Sequence, residues 1–163
     1  LTATSNLDNL EFKVIKEVWN EYELNDGTKL RGRMFLTRIS EDKNAPKAES
    51  PKSGKKLVNY NFSFGKHFEV FAPKDQLSGP TGHIPPSDGI PDDKKSEVDP
   101  ILLSEPWNSY EIVKNGTVIK IKLVVSEIFK VDGIYDQFGQ PYYILKHGPV
   151  FDAKPNSDKK KFA

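Results

Sequence analysis

Trp19-Asn20-x-Tyr22-Glu23-Leu24 returns later in the chain as Trp107-Asn108-x-Tyr110-Glu111-Ile112, and the residues that follow each copy also correspond. Such a repeat constrains the fold before any single residue is weighed, because one local pattern has to be satisfied twice by one backbone plan. The second copy carries one extra residue in its turn, and the match resumes at Gly27-Thr28 against Gly116-Thr117. Across Trp19–Ile39 seven positions are identical: Trp, Asn, Tyr, Glu, Gly, Thr and the final Ile. Unrelated stretches of that length share about one or two. Farther on, Tyr60 and Phe64-Gly65 match Tyr135 and Phe138-Gly139, with the first copy running longer before its Phe-Gly.

The expected fold is therefore all-β with little or no helix: a tandem duplication of a small, strongly bent, barrel-like unit of about five strands. The first unit is expected over 10–77, with a Lys-rich insertion at 42–56, and the second over 101–153. A Pro- and Gly-rich linker at 78–100 joins them, and a polar tail runs over 154–163. Units this small bury little apolar surface alone, so each is expected to bring its own hydrophobic centre and to pack on the other.

Period-two alternation carries the strand assignments. Leu10, Phe12 and Val14 alternate with polar residues and read as a strand after a frayed start at 1–9. Asn25-Asp26-Gly27 and Asn115-Gly116 supply hairpin turns, since these residues tolerate positive φ at little steric cost. In the long strand after each turn, one parity is apolar or small: Leu30, Gly32, Met34 and Leu36, matched by Ile119, Ile121, Leu123 and Val125. The other begins basic and then turns mostly apolar, which predicts a strand passing from a sheet surface into a region buried on both faces. Gly32 in mid-strand would permit a bend or bulge there. Residues 59–71 and 136–145 are expected to form closing hairpins that turn at Phe-Gly.

Leu24-Asn25-Asp26-Gly27-Thr28-Lys29-Leu30-Arg31-Gly32 resembles the second-to-third strand hairpin of Sm-like RNA-binding barrels. The resemblance covers nine residues, and the second copy lacks its Leu-Arg-Gly part. It implies a small barrel. Arg38 and Asp42 stand where that family carries its loop aspartate and uridine-contacting asparagine, so no binding residue is carried over.

Composition narrows the function. Charged residues make up 29% of the 163 and hydrophobic ones 36%, yet the formal net charge is only +1, which argues against a general polyanion binder. Without cysteine there is no disulfide, thiolate metal site or cysteine nucleophile. His67, His83 and His147 are scattered outside any ligand spacing, and no phosphate loop, dinucleotide turn or nucleophile motif occurs. The acidic pairs Asp92-Asp93 and Glu97-Asp99 fall in the linker, where nothing holds them at catalytic separation. Neither catalysis, nor a metal, nor a cofactor is expected. No run is long enough to insert in a membrane as a helix. A start at Leu1 reads as a processed or truncated product, and the acceptor patterns at Asn61 and Asn115 assign no compartment.

Two sets of residues remain as a candidate binding surface. Arg31, Arg33, Lys120 and Lys122 form basic stripes at equivalent positions of the two copies; they read either as solvated strand faces or as a track for a phosphate backbone. Trp19 with Asn20, and Trp107 with Asn108, read either as a groove wall or as a core plug with an Asn bonded to the backbone at a strand bend; we favour the latter. The expected function is a non-enzymatic interaction module that binds protein partners or its own copies. The alternative is a single-stranded RNA- or DNA-binding protein using the paired basic strands.

Overall fold

The computed structural model describes residues 7–42 and 60–155, which form an all-β molecule of two five-stranded sheets. In chain order the strands are β1 (Leu7–Leu10), β2 (Phe12–Lys16), β3 (Asn20–Leu24), β4 (Lys29–Asp42), β5 (Tyr60–Phe71), β6 (Lys95–Val98), β7 (Pro100–Ser104), β8 (Asn108–Ile112), β9 (Val118–Tyr135) and β10 (Pro141–Lys154). Among the described residues, helix is confined to single 3-10 turns at Lys74–Gln76, Ser87–Gly89 and Asp92–Lys94. Most of the Lys-rich insertion (43–56) and of the polar tail (156–163) lies outside the described residues.

Long strands organise both sheets. In the first, β4 has β5 along one side; along the other lie β3, against its beginning, and β1, against its end, with β7 beyond β3. In the second, β9 has β10 along one side, β8 and β6 along the other, and β2 beyond β8. All pairings are antiparallel. β1 and β2 are one extended run interrupted at Glu11, where the chain leaves the first sheet for the second. β6 and β7, interrupted at Asp99, cross the other way. Each sheet therefore takes its outermost strand from the far half of the chain. Neither sheet closes into a barrel among the described residues: the crossing strands end as open edges.

The crossings also change where the core sits. One cluster joins Leu10, Met34 and Ile39 of the first sheet to Tyr110, Ile119 and Ile121 of the second. The other joins Tyr22, Leu24 and Leu30 to Ile128 and Tyr143. The expectation of a separate hydrophobic centre for each half is thus corrected, because each centre draws on both halves. The start of the chain is corrected as well: residues 7–9 pair with β4 rather than fraying. Within the 78–100 segment, β6 hydrogen-bonds to β9, Ile90 is buried, and Ser78 and Thr81 bond to the β9–β10 turn region.

Apart from the adjacent Ile39 and Ser40, the second halves of the long strands are not buried on both faces. Instead a bulge exchanges the faces. Pairing of β4 with β5 slips past Thr37, so the inward set runs Leu30, Gly32, Met34 and Leu36 and then Ile39. Pairing of β9 with β10 slips past Ser126, and the inward set passes from Leu123 to Ile128. Each unopposed residue bonds across the bulge, Thr37 Oγ1 to the Ser63 carbonyl at 2.9 Å and Ser126 Oγ to the Lys146 carbonyl at 3.1 Å. The bulge thus falls at Thr37 and not at Gly32, where pairing is regular. Gly32 lies beneath the ring of Phe68, its cross-strand partner, where an added Cβ would approach Phe68 to 2.5 Å.

Phe64-Gly65 and Phe138-Gly139 prove unlike. β5 continues straight through the first pair, with Gly65 covered by Phe35, whereas the second pair forms the β9–β10 turn with Gly139 at φ 79°. Ladder positions match Phe64-Gly65 with His147-Gly148 instead: they stand opposite Leu36 and Phe35 in one sheet, and Val125 and Val124 in the other.

Candidate interaction surface

Alternation along β3, β4 and β5 sends Trp19, Arg31 and Arg33 to the outer side of the first sheet, where β5 adds His67, Glu69 and Phe71. The Arg31 guanidinium lies 4.2 Å from the Trp19 ring centroid and 5.2 Å from that of Phe71. Arg33 reaches Glu17 at 3.1 Å and sits 5.8 Å from the same indole. His67 Nε2 meets Glu69 at 2.6 Å and packs edge-on to Trp19. Cross-strand rows Glu21–Arg31–Glu69 and Glu23–Lys29–Phe71 balance the basic stripe with acid. The sequence reading missed these carboxylates, since they come from neighbouring strands and only the register sets them beside the stripe.

The second sheet has another balance. Lys122 lies 5.5 Å from the Trp107 ring, repeating the cation-over-indole contact. Lys120 stands in a row with Lys16, Ser109 and Asp152, and Lys13 stands opposite Glu111. This outer face carries a basic surplus.

Asn20 and Asn108 do not join either surface. Both are buried, and each donates to the long strand of the opposite half: Asn20 Nδ2 to the Leu123 carbonyl at 2.7 Å, Asn108 Nδ2 to the Met34 carbonyl at 3.1 Å. Asn108 Oδ1 also accepts from Val18 N at 3.0 Å. The residue that aligns with Val18 ahead of Trp107-Asn108 is Pro106, which has no N–H to offer.

A second reciprocal set lies alongside. Tyr22 donates to Glu105 Oε2 at 2.8 Å and Tyr110 to Glu17 Oε2 at 2.9 Å. Burial, reinforced by the adjacent carboxylate, pushes both phenols well above their ordinary range. These glutamates went unread, though a signal existed: Glu17-x-Trp19-Asn20 recurs as Glu105-x-Trp107-Asn108. In the first turn Asp26 accepts from Thr28 N as Asn115 does from Thr117 N. Burial raises the Asp26 pKa, but the Thr28 and Gln76 bonds and the Lys130 charge outweigh it and hold the carboxyl below its ordinary value.

The remaining feature is at the edges. β7 and β2 are the outermost strands beyond β3 and β8, and no further strand pairs with either among the described residues. Ile101, Leu102 and Leu103 are 66%, 60% and 49% exposed, and Val14 and Ile15 57% and 56%. Grooves of about 280 Å³ beside Leu102 and Phe71, and about 460 Å³ between β5 and β10, are open at the surface. Among the described residues no group of three or more His, Asp or Glu could hold a metal ion, and no helix is long and apolar enough to cross a membrane. Comparison of the chain with protein-family models, curated proteins and solved structures gives no match.

Proposed function

We propose that the chain is a non-enzymatic interaction module, built as two copies of one β unit that exchange their crossing strands, and that it takes up an added strand of a protein partner at β7 and β2. The duplication is supported by the reciprocal pairs Asn20–Leu123 with Asn108–Met34, and Tyr22–Glu105 with Tyr110–Glu17, which join equivalent positions in opposite directions. The binding mode rests on one observation: β7, Pro100-Ile101-Leu102-Leu103-Ser104, is an outermost strand without a charged residue and with its aliphatic side chains largely exposed. Edge strands are ordinarily blunted by charge, proline within the strand, or a cover, because their free N–H and C=O groups template further pairing. An apolar edge left open is suited to strand addition, where backbone bonds supply affinity and alternate side chains supply specificity.

Hydrogen exchange tests this directly. A neutral heptapeptide of alternating Thr and Val, added to the chain, is expected to slow exchange of amides within 100–104 and 12–16 and to leave the central β4 and β9 amides unchanged. Unchanged exchange at both edges would refute the reading. A nucleic-acid function is favoured by one feature, the surplus of Lys13, Lys16, Lys120 and Lys122 on the face that carries Trp107. Steeply salt-dependent binding of oligo(U) or oligo(dT), lost with Lys120→Glu, would put it first.

A further inference from the structure

Taking the strand-addition reading as its premise, we infer that the partner of β7 is β2 of a second copy of this chain, so that molecules join head to tail. The two edges are alike in apolar content, and the outer faces beside them differ in charge: Lys13 and Lys16 outnumber Glu111 at β2, whereas Glu21 and Glu23 lie beside β7. β2 carries Lys13 and Lys16 on its outer side. β7 carries no charge, and the strand behind it presents Glu21 opposite Ser104 and Glu23 opposite Leu102. When β2 of one molecule lies antiparallel on β7 of the next, its lysines share the outer face with those carboxylates, across a serine and a leucine. Val14 and Ile15 meanwhile meet the exposed Ile101 and Leu103. Opposite charges one strand apart attract and like charges repel, more weakly than a directly facing pair.

The symmetric alternatives lose that gain. β7 on β7 sets Glu21 and Glu23 of both molecules on the same short ribbon, and β2 on β2 sets four lysines together. Charge therefore selects the unlike edges, by penalising the wrong pairing as well as favouring the right one. Because β2 ends the second sheet and β7 the first, the joined pair keeps one free edge of each kind, β7 on one molecule and β2 on the other. Such a heterologous contact does not stop at two; it continues as a chain, or closes as a ring if the rotation permits. A strand of five residues is a small contact, which makes the association weak and concentration-dependent.

Charge reversal at Lys13, Lys16 and Glu21, which are exposed, and at the half-buried Glu23 provides the test, read by sedimentation velocity on the full chain over a concentration series. The wild type is expected to grow past dimer as concentration rises. K13E/K16E alone, and E21K/E23K alone, should each associate about tenfold more weakly, because like charges then flank every β2–β7 contact. Mixing the two variants restores growth, since acidic β2 then meets basic β7 and the reverse. Should E21K/E23K lower the thermal midpoint, E21K alone carries the same arm. Variants that assemble as the wild type does, or a mixture that does not recover, overturn the head-to-tail pairing. A wild type that stays monomeric while the Thr-Val peptide still protects β7 overturns this inference alone. Failure of the peptide as well removes the strand-addition reading beneath it.

Discussion

Tyr22 and Tyr110 are the residues on which the two halves lean most evenly. Each ring fills a core cluster, and each hydroxyl crosses to a glutamate of the other half. A phenol held protonated in the folded state above its ordinary pKa of 10.0 stabilises the fold fully below that pH. Above pH 10 the unfolded chain releases the proton first, so stability falls as pH rises. Urea unfolding from about pH 8 to about pH 11 is expected to show a flat region followed by a steep loss, and the loss should be clearly shallower in the double variant Tyr22→Phe/Tyr110→Phe. At neutral pH that variant costs about 1–3 kcal/mol per site, for a lost bond to a carboxylate. Equal alkaline slopes in the two proteins would show that neither phenol governs the transition. The roles of Asn20 and Asn108 as backbone-bonding residues were legible in the sequence. Their acceptors were not, since Leu123 is 103 positions from Asn20 and no local pattern encodes a bond of that span.

At the scale of elements, alternation read half of each long strand correctly and lost the other half for a definite reason. Leu30, Met34 and Leu36 point inward as their parity requires, but one unopposed hydroxyl residue, Thr37 or Ser126, reverses the parity beyond it. A strand with a bulge reads in sequence as one turning apolar on both faces. Phe-Gly misled in a similar way: glycine marks a turn where φ is positive, as at Gly139, but equally a cross-strand partner of an aromatic ring, as at Gly65 and Gly32. The second use predicts a specific cost. Gly32→Ala sets a methyl against Phe68 in a packed core and should destabilise by about 1–3 kcal/mol, and in a Phe68→Leu background the cost should shrink because the ring no longer covers the glycine. Equal costs in the two backgrounds, measured by urea midpoint, would show that the ring is not what excludes the side chain. The candidate site divides along the same line: the basic stripes could be placed on strand faces from the sequence, whereas the tryptophans, read as core plugs, lie instead on the outer faces beside cations, and Glu69 and Phe71 beside Arg31 emerge only from the register of β5.

At the scale of the whole molecule, the crossing strands decide how it holds together. Were each half to carry its own centre, either could unfold with little effect on the other. Here Ile39 of the first half packs with Ile119 and Ile121 of the second, and Leu30 with Ile128, so opening either half strips both clusters of a wall. The edge strands add to this, since β2 has no place to pair without β8, nor β7 without β3. Two-state behaviour follows from cores that cannot be divided. The two tryptophans make it measurable, because Trp19 and Trp107 stand at equivalent places in opposite halves and among the described residues each sits beside cations of its own sheet. Single-tryptophan variants Trp19→Phe and Trp107→Phe each leave one fluorescence reporter. In either variant, urea unfolding followed by the remaining indole and by backbone circular dichroism is expected to give coincident curves and one slope. Within a variant, an indole that changes environment before the strands melt would instead mean that one half loosens alone. The exchange of β2 and β7 between the sheets would then be a contact between finished units rather than the feature that completes them.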